Sequence, residues 1–271
     1  MLSAGIAAPD ILFATDFSES SQRALICVKH LARLRGVTVR SIHVIDLAHA
    51  NGNYNQCQDN ALRGLRRVRR ELRLAGVKES ANVINAGTEA RAICDAARRY
   101  QVKLLVIGLS GDSFVISATL GSVAKGVLLK APCPVMTVGI RTPDPPTHKF
   151  DRVLYISEAD PPCLGAAIAA WPIKSCLDAP NYVILRPGIA AADIPDTPGI
   201  YPVEHQGAAA YVLNQAKQLA PDLIVFGLRA GSYLDAMSPS SFAYKLIGGA
   251  PCPVLTVRQT TPRVTPAAPA E

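Results

Sequence analysis

Apolar residues along the chain fall into short continuous runs, separated by longer stretches in which they recur at helical spacing. The runs predict strands near 10–16, 38–45, 80–85, 103–108 and 134–139, and the stretches predict helices near 19–35, 60–75, 88–100 and 121–130. In the first of these helices Ala24, Leu25, Val28, Leu31 and Ala32 share one side, and Ser18 is placed to cap its start. The strand runs are apolar throughout rather than alternating, which requires cover on both faces. Regular alternation of strand and helix then predicts a mostly parallel α/β sheet. Such sheets hold ligands at the carboxyl ends of their strands, where strand order reverses. Asp16 and Gly108 both fall at such ends.

The pattern repeats. "LLVIGLSG" (104–111) returns as "LIVFGLRA" (223–230), and "APCPVMTV" (131–138) returns as "APCPVLTV" (250–257), both at an offset of 119 residues. Two matches in one register mark a tandem duplication. The second copy opens with the strand "DRVLYISE" (151–158), followed by "NYVILRP" (181–187) and a third strand near 201–204. These boundaries predict one domain over 1–142, a linker over 143–150, a second domain over 151–258 and a disordered Pro/Ala/Thr-rich tail over 259–271. The second domain is pared down: three prolines across 187–198 and no apolar stripe leave no room for a packed helix there.

Composition narrows the classes. At 271 residues, 49% hydrophobic and 18% charged, the chain suits two modest globular cores. No apolar run reaches the ~20 residues of a membrane span. The start, "MLSAGIAAPDILFATD", lacks the basic segment of a signal peptide. Seven cysteines, an odd number without a Cys-x-x-Cys pair, predict reduced thiols and a cytoplasmic protein. Charge is uneven: residues 1–142 carry 19 Lys and Arg against 10 Asp and Glu, and the remainder is slightly acidic. That asymmetry is compatible with an anionic ligand on the first half. Much of it lies in "LRGLRRVRRELRLAG" (62–76), read as an amphipathic helix with Leu62, Leu65, Val68 and Leu72 inward. Its arginines are expected to form a solvated basic face. Aromatic interleaving and a helix-turn-helix pattern are lacking, so nucleic acid is not the expected partner.

The candidate chemistry is Gly108-x-x-Gly111, nine residues, then Gly121-Ser122. Glycine lets backbone amides approach a ligand closely, and a helix beginning at Gly121–Ser122 presents free N–H groups to an anion. This spacing resembles the G-x2-G-x9-G-[S/T] signature of the nucleotide-binding branch of the universal stress protein family. "ILFATDFSESSQRAL" (11–25), "IHVIDLA" (42–48) and "APCPVMTV" resemble that family too. The resemblance implies two tandem doubly wound domains, each a five-stranded, mostly parallel sheet of order 3-2-1-4-5 with helices on both faces. It places Asp16 and the backbone of Val44 at the adenine and ribose end of a bound nucleotide. Gly108, Gly111, Gly121, Ser122 and Val123 then surround the ribose and phosphates. It further implies ATP, ADP or AMP as ligand, pairing of the final strands 134–139 and 253–258, or a homodimer. Asp16 is equally suited to cap the helix that starts near Ser18.

Two departures matter. The loop "DSFVISAT" (112–119) brings Asp112 and no Lys or Arg, so either Mg²⁺ assists binding or the ligand has fewer phosphates than ATP. In the second copy the offset turns Gly111 into Ala230, Gly121 into Ser240, Ser122 into Ser241 and Asp16 into Glu158, with Pro239 just ahead. Only Gly227 is retained, so that site is expected to be degenerate. "SGDS" (110–113) follows the fourth strand rather than the first, against a pyrophosphatase loop, and no Walker motif occurs. The five histidines show no metal-ligand spacing, and His43 reads as a core residue. No catalytic constellation stands out. Two classes of function follow: a nucleotide-responsive regulatory stress protein, with at most slow hydrolysis, or a nucleotide-free interaction scaffold.

Overall fold

The computed structural model describes residues 10–46, 53–86, 88–109, 120–145, 150–157, 177–187, 200–203, 208–228 and 237–258. The tail, the linker residues 146–149, and Gly111 and Asp112 lie outside them, as does the stretch 188–199 for which no helix was expected. In the first half β1 (Ile11–Ala14), β2 (Val39–Asp46), β3 (Glu79–Ala86), β4 (Leu104–Gly108) and β5 (Val135–Val138) alternate with four helices. These are α1 (Glu19–Arg35), α2 (Tyr54–Leu74), α3 (Glu89–Arg99) and α4 (Ser122–Lys130). The second half contains β6 (Phe150–Ser157), β7 (Leu177–Pro187), β8 (Ile200–Val203), α5 (Ala208–Leu219), β9 (Leu223–Leu228), α6 (Phe242–Gly249) and β10 (Val254–Arg258).

All ten strands join one sheet of order β3-β2-β1-β4-β5-β10-β9-β6-β7-β8. The first half thus has the order 3-2-1-4-5, and the second half is its mirror in the sheet. Pairing within each half is parallel. The halves meet where β10 runs antiparallel to β5, with Val254 opposite Thr137 and Thr256 opposite Val135. Buried strand residues alternate between two cores. Leu12, Ala14, Leu105 and Ile107 face α3 and α4, while Ile11, Phe13, Leu104 and Val106 face α1. Both faces are therefore covered, which is why these strands read as unbroken apolar runs.

Local chemistry sets the helix ends. Ser18 caps α1 by accepting a hydrogen bond from the Ser21 N–H at 3.3 Å, and Gly36 ends it in the left-handed region at φ 62°. Helix α2 starts at Tyr54, well ahead of the expected position near 60, because its first turn is polar and exposed and adds nothing to an apolar pattern. Its buried stripe is Ala61, Leu65, Val68 and Leu72; Leu62, expected inward, is 39% exposed. The basic face of α2 is partly tied down. Arg69 and Arg73 both grip Glu79, whose side chain is 2% exposed, at 2.9 and 2.8 Å. Strand β7 begins four residues before the expected 181. A shift in register between Phe150–Leu177 and Arg152–Asn181 takes up the extra residues around Pro180, which has no N–H for the ladder.

Candidate functional site

Strand β1 ends at Ala14, and its ladder with β2 closes with the Thr15 N–H donating to the Ile42 carbonyl at 3.0 Å. Residues 15–18 then turn sharply into α1. Asp16 organises the turn: its Oδ1 accepts from the Ser18 N–H at 3.1 Å, the Ser18 hydroxyl at 2.6 Å and the Ser21 hydroxyl. Its Oδ2 has no hydrogen bond to a described residue, and the side chain is exposed. Asp16 thus buttresses the helix cap rather than forming it, and does so through one carboxylate oxygen. Ser18, not Asp16, is the cap residue itself.

Phe17 adopts φ 67°, a left-handed conformation that a bulky residue adopts only when its surroundings impose it. Its N–H donates to Thr15 Oγ1 at 3.0 Å, and its ring stacks on His43 with centroids 4.6 Å apart. A side chain at Gly64 of α2 would place Cβ 2.4 Å from that ring, so Gly64 makes room for it. His43 Nδ1 lies 2.8 Å from the Thr15 carbonyl oxygen; a carbonyl only accepts, so Nδ1 carries the proton. The core role expected of His43 is half of its role, because its ring also lines a cavity.

That cavity, of about 390 Å³, opens at the carboxyl ends of β1, β2 and β4. Six of the seven sequence-predicted residues line it together: Asp16, Val44, Gly108, Gly121, Ser122 and Val123. Gly111 lies outside the described residues. Val44 stands beyond the last β1–β2 pair, Ala14 with Ile42, on the cavity wall. Glu89, at the start of α3, also lines the cavity and was missed; a lone acidic residue after a strand carries no motif. Asp16 and Glu89 bring two carboxylates to the wall, and the described lining contains no Lys or Arg.

The glycines do different work from one another. At Gly108 an added Cβ would lie 2.5 Å from Ser20 Oγ and 2.8 Å from the Ser21 nitrogen, so the missing side chain admits the start of α1. Gly108 is thus needed for packing and also lines the cavity. Gly121 is the N-cap of α4 in an extended conformation, φ −60° and ψ 152°, with no side-chain cap. Its own N–H donates to the Leu109 carbonyl at 3.0 Å, and its carbonyl accepts from the Lys125 N–H at 2.9 Å. The amides of Ser122, Val123 and Ala124 precede the first helical hydrogen bond, which leaves an open, partly positive helix start at the cavity.

Among the described residues no cysteine lines the cavity. Cys27, Cys94 and Cys252 are free and buried, and burial pushes the Cys27 thiol up to about 12. Among the described residues no three His, Cys, Asp or Glu side chains gather as a metal site, and no helix is long and apolar enough to cross a membrane.

The sheet is doubly wound and parallel within each half, and its cavity lies at the carboxyl ends of the neighbouring strands β1 and β4, where strand order reverses. Residues 9–139 match the model of the universal stress protein family. The Thermus aquaticus "Universal stress protein in QAH/OAS sulfhydrylase 3'region" is 30% identical over 132 residues, which span 47% of this chain and 96% of that relative. The chain belongs to the universal stress protein family. Its fold extends over both halves: a universal stress protein from Archaeoglobus fulgidus DSM 4304 covers 93% of this chain and 97% of its own, with a TM-score of 0.69 at 22% identity. Another universal stress protein from Archaeoglobus fulgidus, solved in complex with dAMP, is 26% identical and covers 49% of this chain and 99% of its own, with a TM-score of 0.39.

Proposed function

We propose that this chain is an adenine-nucleotide-binding regulatory protein whose first half, residues 1–142, holds the ligand and whose second half, residues 151–258, pairs with it. The observation that carries the reading is the uncapped start of α4 facing Asp16 across a cavity of about 390 Å³. That volume falls within the ~300–1,000 Å³ of small-molecule sites. The free Oδ2 of Asp16 suits a ribose hydroxyl or the adenine amino group, and Val44 supplies backbone groups at the same end. Ser122, Val123 and the Gly121 turn form the phosphate end, to which the family resemblance also assigns Gly111.

Two carboxylates and no cation among the described lining residues oppose a triphosphate at close range. We therefore assign either Mg²⁺ between phosphates and protein or a preference for ADP or AMP. On this reading occupancy rather than turnover is the signal. Calorimetric titration with ATP, ADP and AMP, each with and without Mg²⁺, tests the reading, together with analysis of nucleotide released on denaturing the purified protein. Binding that needs metal, or that favours fewer phosphates, supports it. Tight ATP binding without metal overturns the electrostatic part. No binding and no released nucleotide overturn the site and leave the interaction scaffold.

A further inference from the structure

Helix α4, whose start forms the phosphate end of the cavity, is held at both of its ends by the second half. At its start, the Leu120 N–H donates to the Tyr244 hydroxyl at 3.3 Å, a contact between residues 124 apart in sequence. Leu120 directly precedes Gly121 and closes the stretch 110–119, so its amide fixes where α4 begins. At the far end, Arg258 Nη2 on β10 donates to the Leu128 carbonyl in the last turn of α4. A cation on a terminal carbonyl also suits the negative end of the helix dipole.

Tyr244 is itself fixed from behind. Its N–H donates to the Ser241 hydroxyl at 3.2 Å, the side-chain cap of α6. The aromatic body is half-buried against the core that both halves share. One residue therefore links two helix starts, its amide closing α6 and its hydroxyl anchoring α4.

The arrangement runs one way. At the 119-residue offset Leu120 corresponds to Pro239, which has no N–H to donate, and Tyr244 corresponds to Lys125, whose ammonium cannot accept. The reciprocal hydrogen bond is chemically excluded. We propose that Tyr244 is a positioning residue for the phosphate end of the first-half site, so that the second half sets nucleotide affinity without binding nucleotide itself. This inference rests on the nucleotide reading above. It adds that α4 holds its place through a hydroxyl from the other half.

Tyr244→Phe in the full chain removes the hydroxyl and keeps the ring. Affinities for adenosine, AMP, ADP and ATP with Mg²⁺ are compared with the parent protein, alongside hydrogen exchange of the amides at 120–124. Losing one hydrogen bond that aims the phosphate end should weaken the phosphorylated ligands about three- to tenfold, leave adenosine within twofold, and speed exchange at Leu120. Equal weakening of adenosine and ATP would mean general loosening and overturns the inference, as does unchanged affinity for all four. If the parent protein binds none of them, the nucleotide reading fails. The exchange measurement still decides the anchoring: unaltered protection at 120–124 would overturn it.

Discussion

Helices α4 and α6 hold matching places in the two halves, each following a buried parallel strand and leading to the strand at the junction of the sheet. They begin in opposite ways. Helix α4 opens with Gly121 and no side-chain cap, so its first amides remain available beside a cavity. Helix α6 opens with Ser241, whose hydroxyl takes the Tyr244 amide, and Ser238 and Ser240 hydroxyls lie 3.0 Å apart ahead of it. The second helix satisfies itself. The difference shows that a helix start serves either its own stability or a ligand, because the same few N–H groups are wanted by both.

The comparison is broken most severely by giving α4 the cap it lacks. Gly121→Asp would place a carboxylate on the first-turn amides and beside the phosphates, so nucleotide affinity should fall on the order of 100-fold, with the melting temperature held or raised. Calorimetry and thermal unfolding on the same sample check both halves of that statement. A loss of binding accompanied by unfolding would contradict it.

Gly108→Ala separates packing from recognition. Its Cβ would meet Ser20 and the backbone of Ser21, so we expect a loss of about 1–3 kcal/mol in urea unfolding. Ser241→Ala probes the closed helix start and should cost about 1 kcal/mol of stability. An equal cost from Ser122→Ala would erase the distinction between the two helices, since Ser122 caps nothing.

The smallest expected effect lies at the other end of the strands, where each half carries an ion pair of opposite arrangement. Lys103 Nζ meets Asp10 at 2.8 Å in the first half, and Arg152 meets Asp222 at 3.0 Å in the second. Partial burial raises the Asp10 carboxyl, but Lys103 and the Thr38 hydrogen bonds outweigh it and hold the group below its ordinary value. A carboxyl depressed on folding stabilises the protein above its ordinary value, near pH 3.8, and that contribution is lost as pH falls through the lower folded value. Lys103→Met should therefore lower the urea midpoint slightly at pH 6, and the difference from the parent should shrink as pH falls below 3.8. Parallel curves across that range would show that the pair contributes nothing.

Much of this was legible from residue order alone. Continuous apolar runs such as "LLVIG" announced strands covered on both faces, and the exact 119-residue offset announced two copies of one pattern. Six candidate residues at fixed spacing converged on one cavity because strand ends in a parallel sheet lie side by side. The start of α2 was not legible, since a polar, exposed first turn leaves no periodic trace. Nor were Gly64 and His43, which matter through Phe17, 47 and 26 residues away in the chain, nor Glu89, which reaches the cavity without any local motif.

The sequence by itself determined the alternation of elements, the 119-residue offset between matching strings and the glycine spacing, because these depend on local periodicity and on turns between adjacent elements. Only the tertiary structure decided why Gly64 and Gly108 must lack a side chain, that one oxygen of Asp16 is engaged while the other has no hydrogen bond to a described residue, and that Tyr244 reaches across to Leu120. Those are contacts between segments far apart in the chain. They arise from packing of the whole sheet, where the hydroxyl of one helix meets an amide just ahead of another, and no pattern within either segment encodes the distance between them.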